Sequence, residues 1–177
     1  MSSKLKKEIY EWIKTIGVAL VVAVVIIQFI RPTIVNGESM YPTLEDKDYL
    51  IINRMAYKLG DPTKGDIVVF GTDLEQENGD KKDLVKRVIA VEGDHLKIKD
   101  SKIYINGKLI DEPYIHDNYT TGDIDTDIPK GKIFAMGDNR ENSMDSRMSQ
   151  VGLVDEHDLV GKVMIRLFPF NSIGTVK

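Results

Sequence analysis

The chain has 177 residues, 42% hydrophobic and 29% charged, with a formal net charge of -4. That suits one globular domain with an accessory segment, and it excludes a disordered, collagen-like or low-complexity chain. The absence of cysteine excludes disulfides, thiolate metal sites, iron–sulfur clusters and thiol catalysis, and the acidic balance argues against nucleic acid as the main partner.

The charge is segregated. Residues 1–14 hold four lysines against two glutamates, so the acidic excess lies further on. Residues 15–30 (TIGVALVVAVVIIQFI) carry no charge. As a helix they extend roughly 24 Å, a little short of a ~30 Å hydrocarbon core. Ile13 and the amphipathic Trp12 can lengthen that span, and Lys14 can snorkel to the headgroups. The following Arg31-Pro32-Thr33-Ile34-Val35 offers no small-residue processing site. A core helix apolar all round would need a larger protein to surround it. The expected organisation is a cytoplasmic N-terminus over 1–12, a single-pass anchor in the cell membrane over 13–30, and an extracytoplasmic domain over 31–177, with the basic flank inside.

Beyond the anchor the sequence reads as strands and turns. β-branched and aromatic runs predict strands at 49–53, 67–70, 84–91, 96–99, 103–105, 133–136 and 160–168. Asn106-Gly107 is a strong type I′ hairpin signal, and Asp100-Ser101 also separates two short runs. Residues 72–83 (TDLEQENGDKKD) read as an exposed loop, and 114–129 as a second loop or extension. No amphipathic helix is predicted after the anchor. The expected fold is mostly β and antiparallel.

Several weak motifs carry no chemistry. Asp123-x-Asp125-x-Asp127 begins like a calcium loop, but Ile128 and Phe134 stand where Gly and Glu are needed. Asn118-Tyr119-Thr120 is a glycosylation sequon of a kind common by chance. His95, His116 and His157 are scattered and read as surface residues.

Three segments carry chemistry. In Gly37-Glu38-Ser39-Met40-Tyr41-Pro42-Thr43-Leu44, Gly37 permits close backbone approach and Pro42 stiffens the turn. A serine there can offer its hydroxyl and its amide to a carbonyl, although most such serines only make turns. In LVKRVIAV, alternation puts Lys86 on one face with Leu84 and Val88, and Arg87 on the other with Val85 and Ile89. Either both cations snorkel from an edge strand, or one is desolvated. An unperturbed lysine is about 0.04% neutral at pH 7. One lowered to roughly 8 is about 10% neutral and can serve as a general base for a serine. The third segment, residues 137–147 (GDNRENSMDSR), is dense in hydrogen-bonding groups; Asp145 and Arg147 can pair, and Ser143 can hold an amine.

Together these segments resemble the bacterial type I signal peptidases (leader peptidases) of the short, single-anchor Gram-positive kind. The resemblance rests on the anchor, Ser39-Met40-Tyr41-Pro42-Thr43-Leu44, Tyr49-Leu50-Ile51-Ile52-Asn53, Lys64-Gly65-Asp66-Ile67-Val68-Val69-Phe70, Lys86-Arg87-Val88-Ile89-Ala90-Val91-Glu92-Gly93-Asp94, and Gly137-Asp138-Asn139-Arg140 through Asp145-Ser146-Arg147, in that order. It implies a curled antiparallel-sheet Ser-Lys protease domain on the membrane surface. It further implies Ser39 as nucleophile, Lys86 as neutral general base and the Ser39 N–H as an oxyanion donor. Ser143 would orient the lysine, Asp145 and Arg147 would form a supporting pair, and Arg87 would lie nearby. Some members carry a Ser where this chain has Gly37; the second oxyanion donor is then a backbone group or water, with Gly37 as the candidate. The implied substrates are signal peptides of secretory preproteins, cleaved after small residues at the first and third positions before the scissile bond. Val35, Met40, Leu44, Leu50, Leu84 and Val85 would line the pockets. No metal or organic cofactor is implied. Two rival readings are a self-cleaving Ser-Lys regulator and a membrane-tethered β domain that binds without catalysis.

Overall fold

The computed structural model describes residues 3–76, 79–115 and 119–176. His116 and Asn118, and with Asn118 the sequon, fall outside them. The apolar segment lies within one helix, α1 (Ser3–Phe29). It is long and apolar enough to cross a membrane, and its apolar stretch is not buried against the rest of the chain. This exposure removes the core-helix reading.

The chain then passes directly into β1 (Ile30–Ile34) and, after a long turn, β2 (Tyr49–Asn53), α2 (Ala56–Leu59), β3 (Ile67–Glu75) and β4 (Lys81–Ala90). Four further strands follow: β5 (His95–Lys99), β6 (Lys102–Ile105), β7 (Lys108–Leu109) and β8 (Ile124–Asp127). The last four are β9 (Lys132–Met136), β10 (Val154–Asp155), β11 (Leu159–Phe168) and β12 (Gly174–Thr175). The main sheet has the order β1-β2-β11-β3-β4-β9-β10, with β12 on β11, and the smaller sheet has the order β7-β6-β5-β8. All described pairings are antiparallel.

Each predicted run lies within or overlaps a strand, and 49–53 matches β2 residue for residue. Two expected loops are corrected. Much of the described part of 72–83 is hairpin, since β3 and β4 remain paired out to Glu75↔Lys81, across a register shift after Gly71, and Thr72 Oγ1 donates to the Lys82 carbonyl at 2.7 Å. Its side chains are polar because the hairpin projects into water, which hides the period-2 signal. Within 114–129, Ile124–Asp127 forms β8 against β5. There Asp125 accepts from Lys97 at 2.6 Å, a partner that depends on long-range pairing.

Three apolar clusters hold the sheets. One sandwiches Leu96, Ile98, Ile103 and Ile105 of the small sheet against Ile89, Phe134 and Met136 of the large one. A second places Val35, Met40 and Leu44 of the β1–β2 connection on Leu50, Ile52, Ile67 and Val69. Burying side chains of this size stabilises by about 1.5–3 kcal/mol each, so the connection is fixed although it contains no regular element. The third packs Leu84 and Val88 of β4 with Phe70, Ile133 and Ala135.

β4 changes character along its length. Arg87 is flanked by both β3 and β9, and beyond it β4 stays paired with β9 while Val88 also bonds the Gly65-Asp66 turn that leads into β3, whereas residues 81–86 pair with β3 only among the described residues. Lys86 is the last residue of the open edge and Arg87 the first of the closed sheet.

The turn joining β6 to β7 has Asn106 at φ 53° and Gly107 at φ 77°, the left-handed pair that a type I′ turn requires. Gly107→Ala should therefore lower stability by about 1 kcal/mol, since an added Cβ meets open space and only backbone strain is felt. A shift in the chemical denaturation midpoint, with unchanged slope, checks this.

Candidate active site

Three segments distant in sequence converge where β4 turns from open to closed. Ser39 comes from the β1–β2 connection, and Lys86 from β4. Residues 137–147 follow β9. The Ser39 turn is tied locally by Tyr41 N–H to the Glu38 carbonyl (3.1 Å) and Leu44 N–H to the Met40 carbonyl (2.9 Å). Its ends are joined by Val35 N–H to the Asp48 carbonyl and Lys47 N–H to the Val35 carbonyl, both 2.9 Å.

Lys86 is 2% exposed. Its Nζ lies 2.6 Å from Ser39 Oγ and 2.8 Å from the Val85 carbonyl oxygen, to which it donates. Burial pushes its pKa down to about 8; Lys82 and Arg147 act in the same direction, while Asp145 and Asp138 oppose them. Those two carboxylates are largely neutralised by arginines of their own. Asp145 receives a bidentate pair from Arg147 (Nε and Nη2, each 2.8 Å), as expected from sequence. Burial raises the Asp145 pKa, but Arg147 and the Gly137 N–H at 3.1 Å outweigh it and hold the carboxyl below its usual range.

Arg87, expected only to lie nearby, makes an ion pair of its own. Its Nε and Nη2 reach Asp138 at 2.9 and 2.7 Å, Nη1 donates to the Gly65 carbonyl at 3.1 Å, and the guanidinium lies 4.0 Å from the Tyr114 ring centroid. Thr43 Oγ1 donates to the same Asp138 at 2.5 Å, tying the serine turn to this pair. Snorkelling at an edge is therefore excluded for Lys86 and Arg87.

The 137–147 loop also grips the serine backbone. Asn139 N–H donates to the Ser39 carbonyl and Asn139 Nδ2 to the Glu38 carbonyl, each at 3.1 Å. A Cβ at residue 137 would collide with the Ser39 carbonyl and the Ser143 side chain, so glycine is required by contact. Arg140 is locked by Glu112 and by Thr120 Oγ1 at 2.6 Å. Sequence reasoning gave no role to Asp138, Asn139, Thr43 or Glu112. A buried Arg87 signals that a carboxylate is needed, but not which one.

Ser143 is buried, and its Oγ lies beside the Asp145 carboxylate, where it helps lower that carboxyl's pKa, without making a well-formed hydrogen bond among the described residues. The expected bond to Lys86 is thus not made in this structure. Gly37, at φ 100°, has its N–H engaged by Asp46 Oδ1 at 2.7 Å, which leaves it no free donor here. The Ser39 N–H takes no partner among the described residues.

Ser39 and Lys86 open into a groove of about 810 Å³. Val35, Met40, Leu84 and Val85 line it. Leu44 and Leu50, expected on the pocket wall, are fully buried beneath it in the cluster under the serine turn. They shape the wall from behind because Val35 and Met40 cover them.

The Arg87–Asp138 pair sets a stability expectation. Asp138→Ala leaves a buried guanidinium without its counter-ion and should cost about 3–5 kcal/mol. Asp73→Ala removes only an exposed partner of Lys81 and should leave the transition in place. Thermal denaturation in neutral detergent compares the two.

Residues 9–168 match the family described as signal peptidase, peptidase S26. Signal peptidase IB of Staphylococcus aureus (strain COL) is 42% identical, with 95% of this chain and 94% of the relative covered. Signal peptidase I S of Bacillus subtilis (strain 168) is 40% identical at the same coverage. A solved signal peptidase I from Enterococcus faecalis V583 is 27% identical with a TM-score of 0.47, covering 58% of this chain and 97% of that one. With a buried serine–lysine contact at the head of a groove, and a family match running over nearly its whole length, the chain belongs to the peptidase S26 family of signal peptidases, serine hydrolases of the signal peptidase I type.

Proposed function

We propose that this protein is a membrane-bound endopeptidase that removes signal peptides from exported preproteins through a Ser39–Lys86 dyad. The observation that carries this reading is the 2.6 Å contact between Lys86 Nζ and Ser39 Oγ, made by a lysine that is 2% exposed. In the neutral state the serine hydroxyl donates to the amine lone pair. As Oγ attacks the scissile carbonyl, its proton passes to Nζ; the tetrahedral intermediate then collapses to a Ser39 ester while Nζ returns the proton to the leaving amine. A water deprotonated by the same amine releases the acyl group.

The free Ser39 N–H suits the developing oxyanion. The second donor is a water or a backbone group other than Gly37, unless substrate displaces Asp46. Ser143 Oγ, buried and without a well-formed hydrogen bond among the described residues, is suited to steady the ammonium formed during turnover. Asp145–Arg147 and Arg87–Asp138 hold the loop and strand that carry these groups. The shallow apolar wall of Val35, Met40, Leu84 and Val85 favours small side chains at the first and third positions before the cut by leaving no room for larger ones. α1 is the membrane anchor, with residues 1–12 cytoplasmic and the domain from 31 onward outside. Sharing a membrane with the substrate raises their effective concentration.

Incubating the purified protein with a signal-bearing precursor and sequencing the product's N-terminus tests this directly. Ser39→Ala and Lys86→Met should each abolish cleavage while the protein stays folded; intact cleavage by either variant overturns the dyad. Because only the neutral amine accepts the proton, kcat/KM should rise with pH and level off above about 8. Full activity at pH 5, where about a thousandth of such an amine is neutral, is incompatible with the mechanism.

Lys86 also has a stability signature. Its folded-state pKa is depressed, so the folded protein is penalised at pH values where the unfolded lysine is charged, and the penalty fades as pH rises from about 8 past 10.5. Lys86→Met should thus raise stability at pH 7 by up to about 3 kcal/mol, less whatever its lost hydrogen bonds contributed. The gain should shrink toward pH 10, as denaturation at the two pH values would show.

A further inference from the structure

The groove continues past Lys86 along the open edge of β4, toward the end where Arg31 and Lys82 lie. We propose that Lys82 is a specificity-determining residue that reads substrate charge four or five residues before the scissile bond, favouring a carboxylate there and disfavouring Lys or Arg. The inference deepens the signal-peptidase reading and rests on it.

Strand geometry sets the position. Lys82, Leu84 and Lys86 alternate onto one face of β4, and all three line the groove. Lys82 is about 13 Å along the strand from Lys86. An extended substrate with its scissile carbonyl at Ser39 therefore sets its residue four or five positions away level with Lys82.

The anchor sets the direction. Arg31 follows α1 almost at once and pairs with Asp83 at 3.4 Å, so the Lys82 end of the groove adjoins the end of the helix. A substrate whose apolar segment lies in the same membrane enters at that end. Its residues upstream of the cut lie against Lys82, and those downstream leave past Ser39.

The charges at that end single out one group. Arg31 and Asp83 offset each other, Lys81 is paired with Asp73 at 2.6 Å, and Asp80 is itself engaged. Among the described residues Lys82 offers its carbonyl to Thr72, while the nearby Asp83 and Asp73 are taken by Arg31 and Lys81, so its ammonium has no carboxylate partner there. Its charge also reaches Lys86, where it favours the neutral amine. A substrate carboxylate beside Lys82 gains an ion pair, and a substrate cation meets repulsion. Both effects are modest in a partly open groove and are screened by salt.

The test uses the full-length enzyme in neutral detergent, where no anionic headgroup competes, and precursors carrying Glu or Lys singly at the third to seventh positions before the cut. The wild type should prefer Glu over Lys by about fivefold in kcat/KM at the fourth or fifth position, and the preference should fade with added salt. Lys82→Glu should reverse the order, and Lys82→Ala should bring the pair level. Equal rates at every position, or a Glu preference that survives in both variants, would overturn the proposal. Failure of the wild type to cut any of the precursors would remove the signal-peptidase reading itself, and this inference with it.

Discussion

Everything about this site depends on keeping one amine dry while it touches one hydroxyl. Burial alone favours the neutral form of Lys86, but two carboxylates stand close enough to oppose it. The structure answers with two bidentate arginine pairs, Arg147 on Asp145 and Arg87 on Asp138. Each arginine takes up the field of a carboxylate that would otherwise hold the lysine charged. The acids remain because they do structural work: Asp145 receives the Gly137 N–H, and Asp138 binds both Arg87 and Thr43. A buried amine held neutral thus needs cations beside the nearby carboxylates as well as apolar neighbours.

The same pairs explain how segments far apart in sequence hold a 2.6 Å contact. The serine turn has no regular secondary structure, yet Met40 and Leu44 are buried below it, Thr43 is tied to Asp138, and the Glu38 and Ser39 carbonyls are held by Asn139. The turn is fixed from beneath by packing and from the side by hydrogen bonds. Gly137 lets the two backbones approach to that distance.

Much of this was legible in the sequence, for physical reasons that differ by element. Strands with one or both faces buried show in the residue pattern, so β2, β5, β6 and β9 were found closely. β1 was missed because Pro32 reads as a breaker, yet an edge strand tolerates it. The outer part of the β3–β4 hairpin was missed because most of its described side chains meet water. At the site, the Asp145–Arg147 pair could be foreseen because its members are two residues apart. The Arg87–Asp138 pair could not, since 51 residues separate its members and only the β4–β9 register brings them together. The pocket wall divided along the same line: apolar residues near Ser39 were easy to select, but only the fold shows that Leu44 and Leu50 lie behind Val35 and Met40.

The position of Lys86 at the junction of open and closed sheet has a further consequence on the proposed mechanism. A base inside a fully paired sheet would be dry but unreachable, and one on a free edge would be reachable but solvated and charged. At the junction, β9 covers the strand from Arg87 onward while the groove side stays available to an extended peptide. A substrate lying along that edge adds the missing strand and excludes water from Nζ. Desolvation of the amine then grows as the scissile bond arrives, so the base is most neutral when a peptide is present to be cut.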